Sequence, residues 1–146
     1  MERKKPLSKY LLPHEVCEEL DRLKTQKEKI LFMKQYQSFA FKTIVQLNFN
    51  DKIKLDLPEG KPPYRTDQCP QSTLIAATKI AIQPIGRLVV GSDLPALKKE
   101  SIFMRMLESL NVKDAEMLWR AKDGNLEELY PKLTKKLVEK IWPEIL

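Results

Sequence analysis

The chain has 146 residues, 26 of them Lys or Arg against 20 Asp or Glu, for a net charge of +6. That length suits one domain with a core of its own, needing no disulfide support. A hydrophobic share of 42% and a charged share of 32% belong to a soluble globular chain, and no apolar run approaches the ~18 residues of a membrane span.

Leu11 and Leu12 are followed at once by Pro13, His14 and Glu15, so an export signal is not expected and a cytoplasmic location is. Cys17 and Cys69 stand far apart without repeated spacing and read as reduced thiols. The positive charge is spread thin: residues 1–60, 61–97 and 98–146 carry +3, +2 and +1. A dedicated nucleic-acid binder concentrates its charge. Here acids such as Glu15, Glu18, Glu19 and Asp21 alternate with Arg22, Lys24 and Lys27, which describes a solvated helix surface.

Residues 1–10, with Arg3, Lys4, Lys5 and Lys9, read as a flexible basic arm. Pro13 suits the first position of a helix, and Leu12, Val16, Leu20 and Leu23 line one face of it. Thr25 and Glu28 have capping-box spacing. They open a second helix expected to bury Ile30, Leu31 and either Met33 or the stem of Lys34. Ser38 caps a third, with Phe41, Ile44 and Val45 inward; Leu47 and Phe49 fall off that face. Lys52 to Leu57 alternate polar and apolar and suit a short extended segment. Pro58, Gly60, Pro62, Pro63 and Pro70 forbid helix over residues 58–70 and place a proline-rich loop between two helical lobes of one domain.

Residues 72–82 read as a sparsely charged, central helix, and Arg87 to Gly91 as a short strand or helical turn. Ser92, Asp93 and Pro95 open a helix whose inner face is Phe103, Met106, Leu107 and Leu110. Asn111 caps the next, with Asp114 in the first turn, where a carboxylate suits the helix dipole. Ala115, Leu118 and Trp119 face inward, and Asp123-Gly124 ends it. Thr134 caps the last helix, with Leu137, Val138 and Ile141 on one side and Pro143 at its end. The fold expected is mainly α: one compact bundle of about six or seven helices over residues 1–146, with little or no β.

The sequence offers little chemistry. His14 and Cys17 stand one helical turn apart, the spacing of a nucleophile with its base or half a metal site. His14 is the only histidine, and no motif supplies further ligands, so a surface histidine and a half-buried cysteine are the plainer reading. The acid pairs Glu18-Glu19, Glu127-Glu128 and Asp114/Glu116 sit beside lysines, where capping and solubility explain them. The four glycines form no phosphate-cradling loop. No catalytic residue, metal or cofactor is therefore expected.

Two binding features remain. Pro62, Pro63, Tyr64 and Arg65 present an aromatic and a cation on a stiff backbone of the kind that docks into partner grooves, although Tyr64 plugging its own core is the commoner outcome. Lys98 with Lys99, and Lys135 with Lys136 and Lys132, would form a modest phosphate-binding surface if the fold gathered them. The last two helices do not read as a DNA-binding helix-turn-helix. Their connection is about twelve residues long against the motif's ~3–4, and the final helix has no Asn, Gln or Arg to read bases.

Leu57-Pro-Glu-Gly-Lys-Pro-Pro-Tyr64 resembles a signature of small uncharacterised proteins from T4-like tailed phages. Lys99 to Leu110, Asp114 to Leu118 with Ala121-Lys-Asp123, and Leu133 to Val138 with Trp142-Pro143 are similar to the same family, in matching order across residues 50–146. Thr25 to Leu31 looks like its early helix; the Arg3-Lys4-Lys5 tail departs from it. The resemblance implies a phage product in the cytoplasm of an infected bacterium and implies no activity. The expectation is a non-enzymatic accessory protein that binds a host or phage protein. A nonspecific nucleic-acid-binding factor in replication or transcription, or a minor virion component, are the alternatives.

Overall fold

The structure, a computed structural model, describes residues 11–70, 74 and 83–146. The basic arm of residues 1–10 and, apart from Leu74, the helix predicted over residues 72–82 lie outside the described residues. Among these residues six α-helices form: α1 Pro13–Leu20, α2 Gln26–Gln35, α3 Phe39–Phe49, α4 Ala96–Glu108, α5 Val112–Lys122 and α6 Lys135–Ile141. The only strand-like pairing described is one antiparallel bridge, Leu55 with Val89. None of the described helices is long and apolar enough to cross a membrane.

Helix starts are set by short polar side chains. The Thr25, Ser38, Asn111 and Thr134 side chains each accept a backbone N–H in the first turn of α2, α3, α5 and α6. Each cap contributes about 1 kcal/mol. α4 has no such cap and starts after Pro95, which cannot continue a helix backwards.

Apolar spacing largely decides what is buried. Leu12, Val16 and Leu20 of the first segment, and Phe41, Ile44 and Val45 of α3, are in the core as expected. So are Phe103, Met106, Leu107 and Leu110, and Leu137, Val138 and Ile141. Two expectations fail. α2 buries Phe32 and Met33 and leaves Leu31 60% exposed, a rotation of the inner face by one residue. α3 continues to Phe49 and buries Leu47 and Phe49 as well, because neighbours wrap it on more than one side.

α5 is the centre. α1, α3 and α4 all pack on it, while α2 packs on α6. Helices from both sides of the proline segment thus share one core.

The start of α1 is fastened in an unusual way. Its backbone N–H at His14 donates to Asp114 Oδ1 at 2.9 Å, and His14 Nδ1–H donates to the same oxygen at 2.8 Å. Asp114 has 0% exposure and stands in the first turn of α5. One carboxylate therefore sits at two helix N-termini at once, both of which favour negative charge. His14 is buried, not on the surface. Burial lowers its pKa, but the hydrogen bond and charge of Asp114, with Glu18 and Glu15 behind, outweigh that and raise it above 6.5.

A second ion pair, with a buried lysine and an exposed carboxylate, holds the bridge. Lys99, 1% exposed, donates to Asp56 Oδ2 at 2.9 Å and to Val89 O at 3.2 Å. Asp56 N–H to Leu88 O and Val90 N–H to Lys54 O, at 2.8 and 3.1 Å, close the bridge itself. Lys99 is thereby withdrawn from the solvent surface proposed for it.

Asp114→Ala should lower unfolding free energy by about 3–5 kcal/mol, since it orphans a buried imidazole N–H and a helix N–H, each bonded to a charged acceptor. Asp114→Asn, which keeps an acceptor, should cost less; denaturant titration compares them. The raised His14 pKa stabilises the fold fully below the unfolded imidazole value of about 6.5. That contribution is lost as pH rises through the folded value. The denaturation midpoint should fall across that window, and in His14→Gln the fall should disappear.

Candidate functional site

The proline loop is built onto α5. After α5 ends at Lys122, the Lys122 ammonium donates to Pro58 O at 2.8 Å and Gly60 O at 3.3 Å, and pairs with Asp123 Oδ1 at 2.6 Å. Asp123 Oδ2 in turn accepts the Gly60 N–H at 2.9 Å. The Lys122 and Asp123 side chains are 3% and 5% exposed. Two adjacent residues of opposite charge thus satisfy both the carbonyls and the amide of one tight turn. Gly60 turns at φ 97°, a conformation that a side chain would strain.

Further along, Arg65 N–H donates to Glu108 Oε2 at 2.8 Å, tying the loop to the end of α4. Between these ties Tyr64 is buried in the core and Lys61 Nζ lies 5.7 Å over its ring. Burial raises the Tyr64 phenol pKa. Of the four residues proposed to meet a partner, Tyr64 is thus turned inward, Pro62 is half-buried, and Pro63 and Arg65 are exposed. Arg65 also pairs with Asp67 at 3.3 Å.

The fixed loop leaves a groove of about 300 Å³ against α4. Its walls are mainly apolar, with Leu57, Pro62, Pro63, Leu97 and Met104 among them, and Glu59 and Glu100 also line it. Leu97 is 80% exposed. Nothing in the sequence pointed to Leu97 or to this groove, because the groove exists only where the loop and α4 meet. A neighbouring hollow of about 340 Å³, lined by Asn48, Asn50, Asp51 and Asp123, shares Leu57, Glu59 and Lys122 with it.

His14 and Cys17 do not form a reactive pair. His14 is engaged by Asp114. Cys17 is fully buried, and burial together with Asp114, Asp21 and Glu18 holds its thiol well above the ordinary range. A thiol so placed is a poor nucleophile. Among the described residues no three of His, Cys, Asp and Glu gather as metal ligands.

The lysines expected to form a phosphate-binding surface are dispersed. Lys98 is exposed on α4 and Lys99 beside it is buried. Lys135 and Lys136 are exposed on α6, and Lys132 donates to Asp21 O at 2.7 Å. α4 packs on α5 and α6 on α2, so the two lysine pairs belong to different helix pairs.

Residues 16–128 match one protein family, across most of α1, all of α2 to α5, the loop and the groove. The chain belongs to the Family of unknown function (DUF6433). No curated protein and no solved structure matches it. The DUF6433 match takes in the N-terminal helices that the motif resemblance covered only sparsely. It stops before α6, so Leu133 to Val138 lies outside the matched span. Asp114, Lys122 and Asp123 all lie inside it.

Lys122→Met should destabilise the fold by about 3–5 kcal/mol, because Asp123 would stay buried without its counter-charge. Adding Asp123→Asn should restore part of that loss in urea titrations. A double variant no more stable than the single one would show that the pair does not hold the loop.

Proposed function

We propose that this chain is a non-enzymatic phage accessory protein of the infected cytoplasm, which binds a host or phage protein by taking a short apolar segment of it into the groove beside the proline loop. The observation that carries the reading is the loop itself. It is pinned at Pro58, Gly60 and Arg65, so the groove is preformed and little ordering entropy opposes binding. Leu97, large, apolar and 80% exposed on its wall, is the anchor such a site presents. The phage setting rests on the motif resemblance at Leu57 to Tyr64 and Lys99 to Leu110. The absence of catalysis is inferred from the fates of His14 and Cys17, the pair whose spacing suggested a nucleophilic centre.

The test is affinity capture from phage-infected cells with tagged wild type, Leu97→Asp and a Lys135→Gln/Lys136→Gln control. A specific partner should be held by wild type and the lysine control and lost about tenfold or more with Leu97→Asp, the effect of one hot spot of ~1.4 kcal/mol. Equal recovery by all three would remove the groove from the account.

A further inference from the structure

The charge that looks evenly spread along the sequence is gathered by the fold. Residues 24–35 contain Lys24, Lys27, Lys29 and Lys34 against Glu28, a net +3. Residues 132–140 contain Lys132, Lys135, Lys136 and Lys140 against Glu139, again +3. Together they equal the +6 of the whole chain, so everything else balances to zero. These stretches are α2 and α6 with their leading turns, and the two helices pack on each other.

Two tethers fix how they lie. At one end Lys132 Nζ donates to Asp21 O at 2.7 Å, just ahead of α2. At the other, Trp142 Nε1–H donates to Gln37 Oε1 at 3.0 Å, just past both helices. The helices therefore run side by side in the same sense. On α2, Lys27, Leu31 and Lys34 fall on one outward stripe, away from the buried Phe32 and Met33. On α6, Lys136 and Lys140 are one turn apart, opposite the buried Val138 and Ile141. None of Lys27, Lys34, Lys135, Lys136 or Lys140 has an ion-pair partner among the described residues. Glu28, which accepts the Thr25 hydroxyl at 2.8 Å, and Glu139 are the acids within the two helices.

We propose that the α2–α6 face docks on the phosphate backbone of nucleic acid. It shares no residue with the groove and stands without it. Rows of lysine on a rigid helix pair supply point charges that replace condensed counterions and carry little base information. A membrane surface fits less well: both helices spend their apolar sides on the core, leaving Leu31 alone to insert. A protein partner fits less well too, since lysine is depleted where protein interfaces are driest.

The experiment is fluorescence anisotropy of the full chain with short duplex DNA across a salt series, with phosphatidylserine vesicles as a second probe. The variants are Lys27→Gln/Lys34→Gln/Lys136→Gln/Lys140→Gln and a charge-matched control, Lys52→Gln/Lys54→Gln/Arg87→Gln/Lys98→Gln. All eight positions are exposed, and circular dichroism verifies both folds. Wild type should bind at low salt, with affinity falling as salt rises. The α2–α6 variant should bind about tenfold or more weakly and lose about 3 units of the log–log salt slope, at ~0.9 per phosphate contact. The control should stay near wild type. No duplex binding by wild type, equal losses in the two variants, or binding to vesicles but not duplex would each overturn the proposal.

Discussion

One buried oxygen sets the geometry of this molecule. Asp114 Oδ1 takes both the backbone N–H and the imidazole N–H of His14, a residue 100 positions earlier in the chain. A charge so deep needs partners; its Oδ1 finds two at the start of α1, while Oδ2 is buried without a hydrogen-bond partner. α1 is short, and short helices depend on tertiary contacts more than on propensity. With Asp114 in place, its entry point and direction relative to α5 are fixed.

The other end of α5 does comparable work with the opposite arrangement. Lys122 and Asp123 reach outward along the chain to hold the carbonyls and amide of the 58–60 turn. α5 is thus a spine with a polar fastening at each end and apolar packing between, from Ala115 through Ala121. The groove beside the proline loop follows from this: a stretch too rich in proline for its own hydrogen-bonded structure borrows its order from a helix. Both faces proposed to meet partners are therefore on supported elements rather than free chain, as recognition surfaces need to be.

What the sequence could reveal follows from the range of each interaction. Caps at Thr25, Ser38, Asn111 and Thr134 involve residues two or three apart, and each was legible. So was the extended tendency near Leu55 and Val89, although not that the two would pair, as they do in a single bridge. Met33 turns inward as its spacing suggested, but whether Leu31 or Phe32 joins it depends on the angle at which α2 meets α6, and spacing alone chose Leu31. Leu47 and Phe49 are buried by neighbours that no local pattern reports. Lys99 had the look of a surface cation until Asp56 and Val89, far away in sequence, closed around it. Asp114 read correctly as a first-turn carboxylate, but its second helix could not be foreseen. The lysines of α2 and α6 appeared diluted because their concentration exists only in the packed pair.

The most direct test of α5 as spine is native-state amide hydrogen exchange at His14 and Gly60. The first N–H groups of a helix have no intrahelical acceptor and ordinarily exchange quickly, and a turn glycine does the same. Here both amides donate to buried carboxylates flanking α5, Asp114 and Asp123. The expected result is strong protection at both positions, approaching that of the core amides of α5. Exchange at either position near the rate of an unstructured peptide would contradict the account.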